Sequence, residues 1–283
     1  MLSYRHGFHA GNVPDVLKHA ILVFCLEYLG QKEKPCLLAD THAGAGAYTL
    51  TEGYAAEKGE WEGGIGRLLP LRGLPALLEG YLCLAAGAMP VYPGSPALMA
   101  KYLRPGDRLV CFELHPADCA SLRTFLRGVP RAEVRQEDGL GGLRSLLPPP
   151  SRRGLILIDP PYEVKDDYTL LPPRLEDLLN RFPQGTYLIW YPLLGAYRAS
   201  GDLPEQLMKI YRGNRCRVEL YTTRDTRPRK GSPRAMYGSG LILYNPPWTL
   251  RPALEAALPV LGSLLGAGPE AWMLRWENTG PQP

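Results

Sequence analysis

The apolar run Leu155-Ile156-Leu157-Ile158 is followed at once by Asp159-Pro160-Pro161-Tyr162. Four consecutive apolar residues suit a strand buried on both faces, as in a parallel sheet covered by helices. Proline fixes φ and has no N–H to donate, so the ladder cannot continue past Asp159 and the last carbonyls face what lies beyond the strand end. An open α/β sheet binds its ligands there, outside the carboxyl ends of its strands. A carboxylate, a carbonyl and an aromatic ring at such an end can grip a planar base by an exocyclic amino group. The nitrogen's lone pair is delocalised into the ring, which makes it a poor nucleophile. Asp159 can accept from one N–H and the Pro160 carbonyl from the other, which favours a pyramidal nitrogen aimed at a methyl donor. Tyr162 would stack on the ring, worth roughly 1–3 kcal/mol per base. The plainer alternative is a strand-ending turn, since D-P and P-P are common loop punctuation.

Methyl transfer needs a donor site, and three further strand ends can supply it. Leu37-Leu38-Ala39-Asp40 reads as a short buried strand, followed by Thr41-His42-Ala43-Gly44-Ala45-Gly46-Ala47, whose small residues let backbone approach a ligand closely. Thr49 stands where a dinucleotide fingerprint needs a third small residue, so G-x-G-x-x-G is not met and S-adenosylmethionine fits better than a pyrophosphate. Arg108 to Phe112 is a second strand, with Glu113 placed to take both ribose hydroxyls. Ala132 to Gln136 is a third, with Asp138 able to accept from the donor's adenine amino group. Each acid alone could be a helix N-cap. Glycine loop, acid, acid and DPPY in that order point together to a class I methyltransferase.

The 283 residues carry 45% hydrophobic content and a net charge of +4, enough for one large core and compatible with a nucleic-acid partner. Six cysteines without a C-x-x-C pair, and no long apolar segment near Met1, predict free thiols, no membrane span and a cytoplasmic setting. Roughly 70 residues separate Asp40 from Glu113 where a βαβ unit takes about 30, which leaves an insertion of roughly 45. Leu-rich stretches between 52 and 91 predict a helical subdomain there, with residues 1–51 and 92–283 forming the Rossmann-like domain. A helix over 14–29 opens with Pro14 and Asp15 in its first turn.

After DPPY, residues 169–182 suit a helix interrupted early by Pro172-Pro173, Thr186 to Tyr191 a fifth strand, and Leu203 to Tyr211 a helix. Val218 to Tyr221 and Gly240 to Tyr244 complete a seven-stranded, mostly parallel sheet with one antiparallel strand near its edge. The loop between them holds Arg224, Arg227, Arg229, Lys230 and Arg234, which could hold phosphates or could be merely solvated. Asn245-Pro246-Pro247-Trp248 imitates the DPPY motif, but it follows the last strand and reads as a turn. His6-x-x-His9 with His42 lacks the carboxylates or cysteines of a metal site, so no metal is expected. His19 and His42 instead flank the donor.

The chain as a whole resembles the bacterial 23S rRNA adenine-N6-methyltransferase family RlmJ. The resemblance rests on Met1-Leu2-Ser3-Tyr4-Arg5-His6, Phe8-His9-Ala10-Gly11-Asn12, Asp15-Val16-Leu17-Lys18-His19, Asp40 to Gly46, Tyr92-Pro93-Gly94-Ser95-Pro96, Glu113-Leu114-His115-Pro116, Ser151 to Glu163 and Asn245 to Trp248. It implies a monomeric Rossmann-like enzyme with a helical insertion, methylating one adenine of naked or partly assembled 23S rRNA. By motif, Lys18, His19, His42, Ser95, Glu113, Asp138 and Gly139 would contact the donor, Asp159 would be catalytic and Tyr4 would act on the substrate side. The rivals are a DNA adenine-N6 methyltransferase and a non-enzymatic nucleic-acid-binding factor in DNA uptake.

Overall fold

Residues that alternate between the two faces of each strand build this fold, because both faces are covered. Leu155 and Leu157 point into one apolar core, Ile156 and Ile158 into the other. The computed structural model describes residues 6–163, 165–195, 198–224 and 236–278. In chain order, a 3-10 turn (His6–Phe8) precedes α1 (Val13–Gly30), β1 (Leu37–Asp40) and β2 (Ala47–Thr49). Four helices follow: α2 (Gly53–Lys58), α3 (Glu60–Gly63), α4 (Ile65–Leu68) and α5 (Ala76–Ala88). The chain continues through β3 (Val91–Pro93), α6 (Ser95–Lys101), β4 (Arg108–Phe112), α7 (Pro116–Phe125), β5 (Ala132–Arg135), α8 (Gly139–Arg144) and β6 (Gly154–Ile158). It closes with α9 (Lys165–Arg181), β7 (Thr186–Leu194), α10 (Arg198–Ile210), β8 (Arg215–Tyr221), β9 (Met236–Tyr244), α11 (Leu250–Leu264) and β10 (Trp272–Glu277).

Eight strands form one sheet in the order β10-β8-β9-β7-β6-β1-β4-β5. From β7 to β5 the strands are parallel, while β9 runs against β7 and β8, and β10 against β8. The expected seven strands with one antiparallel are thus one short on both counts. The missing strand is β10, whose Trp-Met-Leu-Arg-Trp-Glu lacks clean alternation and is set by its ladder to β8. Helices α1, α5, α6, α7 and α11 contribute to the core on one face, and α8, α9 and α10 to the core on the other. Helix α9 is longer than expected and runs through Pro172 and Pro173, held by the burial of Leu171, Leu175, Leu178 and Leu179.

Strand β1 lies between β4 and β6, so the chain leaves it in opposite directions and opens a crevice at its carboxyl end. Strands β2 and β3 form a two-stranded antiparallel ribbon beside that crevice. The ribbon holds together the two ends of the α2–α5 segment. That segment packs on the sheet's own covering helix: Leu77, Leu78, Tyr81 and Ala85 of α5 share a core with Leu17, Ile21 and Leu22 of α1. All six cysteines are free and only Cys83 is exposed. Among the described residues, no helix is long and apolar enough to cross a membrane.

Candidate functional site

A cavity opens where β1, β4, β5 and β6 end, lined among others by His6, Lys18, Thr41, His42, Gly44, Ser95, Glu113, Asp138, Gly139, Asp159 and Pro161. The glycine loop contributes Ala43 and Gly44 to the lining. Gly44 has φ +60°, and its N–H donates to Glu113 Oε2 at 2.8 Å. Glu113 Oε1 accepts from the His115 N–H at 2.7 Å. Burial pushes the Glu113 carboxyl up, and these two N–H groups oppose the shift. The carboxylate is thereby fixed with its remaining lone pairs available to the cavity.

Asp138 caps α8, with Oδ2 accepting from Gly141 N–H at 3.0 Å and from Arg174 Nη1 at 3.0 Å. Gly139 follows because nothing larger fits: a Cβ there would lie 2.1 Å from the Thr41 carbonyl oxygen. Thr41 Oγ1 donates to the Leu157 carbonyl at 3.1 Å and lies 2.8 Å from His42 Nδ1. With the hydroxyl proton spent, His42 Nδ1–H is the donor and Nε2 is left as an acceptor. Burial pulls His42 down to about 4, so the ring is neutral at pH 7. Asp40, at the end of β1, is fully buried and accepts from the His42 N–H at 3.2 Å. Its burial raises the carboxyl to about 6, against the Ser95 hydroxyl beside it.

Across the cavity, Asp159 Oδ2 lies 2.5 Å from Lys18 Nζ, and the same ammonium lies 2.8 Å from Asp15 Oδ1. Lys18 is 3% exposed. Burial alone would pull its ammonium down, but Asp15 and Asp159 together hold it well above the ordinary lysine value. Asp15 also faces His6 Nε2 at 3.0 Å. These contacts join the first helix to the end of β6. Pro160 is buried, while Pro161 lines the cavity.

The structure brings Lys18, His42, Ser95, Glu113, Asp138, Gly139 and Asp159 to one cavity. His19 is not in its lining. The ring is 1% exposed, hydrogen-bonds the Tyr92 hydroxyl at 2.8 Å and is pulled by burial to about 3. Tyr162 is also away from the lining, because its backbone turns to φ +53°. The ring packs on Tyr168 and Trp190, and the hydroxyl donates to the Trp190 carbonyl at 2.7 Å. The ring is buried and presents no open stacking face. Tyr4, Arg227, Arg229 and Lys230 lie outside the described residues. His6 and His9 face different partners, Asp15 and Glu60, and no group of three metal-ligating side chains occurs among the described residues.

Asn245 follows β9, which runs antiparallel to β7, so it stands at the opposite end of the strands from Asp159. Its amide donates to the Pro183 and Gly185 carbonyls at 2.7 and 2.8 Å. Sequence reasoning did not single out Asp15, Asp40, Thr41, His115, Asp118 or Asp167 as site residues. For Asp15 the available signal was its spacing of three from Lys18, which places two opposite charges on one helix face.

Residues 33–278 match the family described as ribosomal RNA large subunit methyltransferase D, RlmJ. The ribosomal RNA large subunit methyltransferase J of Escherichia coli K12 is 42% identical over 274 residues, covering 94% of each chain. The protein of the same name from Haemophilus influenzae is 38% identical over 290 residues, covering 98% of this chain and 99% of its own. A crystal structure of a Legionella pneumophila protein, 30% identical, superposes with a TM-score of 0.84 over 95% of this chain and 98% of that one.

Proposed function

The chain belongs to the RlmJ family of ribosomal RNA large subunit methyltransferases, and on that premise we propose that it methylates the N6 amino group of one adenine in 23S rRNA. Its donor is S-adenosylmethionine. The residues fit that group: Glu113 and Gly139 line one cavity, Gly139 lets the backbone after β5 pass close to Thr41, and Glu113 offers two held oxygens. Glu113 takes the ribose hydroxyls and Asp138 the adenine amino group. His42, Ser95 and the glycine loop line the remaining length, and His19 stiffens the wall behind through Tyr92. When bound, the donor supplies an electrophilic methyl on a positive sulfonium.

Asp159 carries the reading, because it faces the donor-side residues across one cavity and has one oxygen already taken. Lys18 holds Oδ2, which leaves Oδ1 to accept from the target amino group. The Pro160 carbonyl accepts from the other N–H. The pair steadies the nitrogen in a pyramidal form, and the Asp159 charge stabilises the positive charge that grows there. The new N–C bond forms as the methyl leaves the sulfonium, and the extra proton then leaves the nitrogen. Asp159 takes it directly or through water. Pro161 bounds the base, which must be unstacked to enter.

Tyr4 acts on the substrate side, and Arg227, Arg229 and Lys230 hold RNA phosphates. The α2–α5 insertion braces the N-terminal segment, because Glu60 of α3 lies 2.9 Å from His9 and 3.0 Å from Asn12. The enzyme acts as a monomer in the cytoplasm, on naked or partly assembled large-subunit RNA. Single-turnover transfer of labelled methyl to 23S rRNA transcripts tests this reading. Asp159→Ala is expected to lose at least ~10²–10³ in rate, with donor affinity within a few-fold, and Asn245→Ala to lose far less. An active Asp159→Ala enzyme, or equal transfer to DNA duplexes, would overturn it.

A further inference from the structure

Resting on the reading of Asp159 as the acceptor for the target amino group, we infer that Asp15 is a positioning residue for methyl transfer, acting through both Lys18 and His6. Asp15 is 0% exposed and is absent from the cavity lining, whereas Lys18 and His6 both belong to it. Each of its oxygens holds one of them. Oδ1 lies 2.8 Å from Lys18 Nζ, and Oδ2 lies 3.0 Å from His6 Nε2 while accepting from the Gly11 N–H at 2.9 Å. The backbone N–H of Asp15 is itself fixed by the Asn12 cap at 3.1 Å.

An acid in the first turn of a helix is favoured at the surface without being buried. Burying it completely is costly unless every partner is placed, and well-packed apolar residues would stabilise as much or more. Its burial here has a geometric consequence. A lysine ammonium sits on four rotatable bonds and is a point charge without directional preference. Facing Asp159 alone, it could sit astride both carboxylate oxygens and occupy the position meant for the amino group. Drawn back by Asp15, it takes Oδ2 only. The same carboxylate ties the His6 turn to α1, so the wall and the acceptor are set by one residue.

The test compares Asp15→Asn with wild type and with Asp159→Ala, at saturating donor and 23S rRNA transcript. The expected result is a tenfold to hundredfold loss in the rate of methyl transfer, with donor Kd within about threefold of wild type. The Lys18 side-chain ammonium signal in ¹⁵N-resolved NMR is expected to exchange slowly in the wild type, where both partners hold it, and to broaden or vanish in the variant. A wild-type rate overturns the inference. So does a loss of rate matched by an equal loss of donor affinity with the ammonium signal intact, which marks a merely structural role. If Asp15→Asn does not fold, the smaller Asp15→Ser is measured in its place. Failure of both to fold makes Asp15 a stability residue and also overturns it. An active Asp159→Ala enzyme would sink the premise instead, so the two failures are told apart.

Discussion

Replacing Glu113 with Gln separates binding from chemistry. The side chain keeps its volume but loses its charge, and an amide NH2 replaces one acceptor oxygen. In the wild type the two oxygens accept from Gly44 N–H at 2.8 Å and His115 N–H at 2.7 Å. The variant can satisfy only one of them, and the other N–H meets a donor. Glu113 is partly open to the cavity, so water can relieve the clash in the free protein, and stability should fall by only about 1 kcal/mol. The donor complex has no such relief, because the ribose hydroxyl displaces that water. Hydrogen bonds to charged groups are worth about 1.5–3 kcal/mol, so the dissociation constant should rise by roughly 10- to 150-fold. S-adenosylhomocysteine has the same ribose and no transferable methyl, so its affinity should fall by the same factor. At saturating donor the turnover rate should be near wild type, since the interaction is equal in ground and transition states. Calorimetry with both ligands, beside a rate measured at saturation, is the assay. Unchanged affinity in a folded variant, or a rate that stays low at saturation, would refute the assignment of Glu113 to the ribose.

Gly139→Ala should weaken donor binding more than tenfold and lower the melting temperature by several degrees, because its Cβ would meet the Thr41 carbonyl at 2.1 Å. Gly87→Ala in α5, with nothing within 4 Å, should be neutral or stabilise by up to about 1 kcal/mol, and a reversed order would refute the packing argument. Two buried groups should give opposite pH slopes in urea titrations. His19, pulled by burial to about 3, stays neutral in the folded state while the unfolded state takes up its proton below pH 6.5, so wild type should lose about 1.4 kcal/mol per pH unit relative to His19→Gln as pH falls. Asp40, raised by burial to about 6, is protonated more readily in the folded state, so wild type should lose stability relative to Asp40→Asn as pH rises from 4 to 6 and no further above it. Replacing Arg227, Arg229 and Lys230 with Ala should flatten the salt dependence of RNA binding by up to about one unit of slope per lost phosphate contact, and an unaltered slope would leave the loop merely solvated.

The parallel half of the sheet was legible because its strands are short, buried on both faces and end in chemistry-bearing residues. Asp40, Glu113, Asp138 and Asp159 mark the ends of β1, β4, β5 and β6, so order and edge could be read together. The ribbon of β2 and β3 was not, since three-residue strands carry no periodicity and exist by pairing with each other. The two prolines of α9 argued for a break that burial of the surrounding leucines overrides. Glu113, Asp138 and Gly139 share one cavity because each stands in a loop just after a strand, where the sequence shows it directly. The pairing of Lys18 with Asp159 joins residues 141 positions apart, so it is set by the packing of α1 against the sheet and has no local signal in the sequence. Tyr162 reads from sequence as an open face, because neither its positive φ nor the packing of its ring on Tyr168 and Trp190 leaves a trace in residue type.

The place of β1 in the sheet bears on how the chain can be assembled during translation. The first strand of the sheet to leave the ribosome is a central one, and its two neighbours arrive only with residues 108–112 and 154–158. Until then Leu37, Leu38 and Ala39, and the apolar face of α1, have no sheet to lie against. Contacts of such long sequence separation form slowly and leave unpaired strand edges open to wrong partners. The α2–α5 segment is synthesised in that interval, and α5 covers α1 through Leu77, Leu78 and Tyr81. It can shelter the nascent helix before any neighbouring strand exists, so shortening it would show first as aggregation during expression and only afterwards as a change in the finished enzyme.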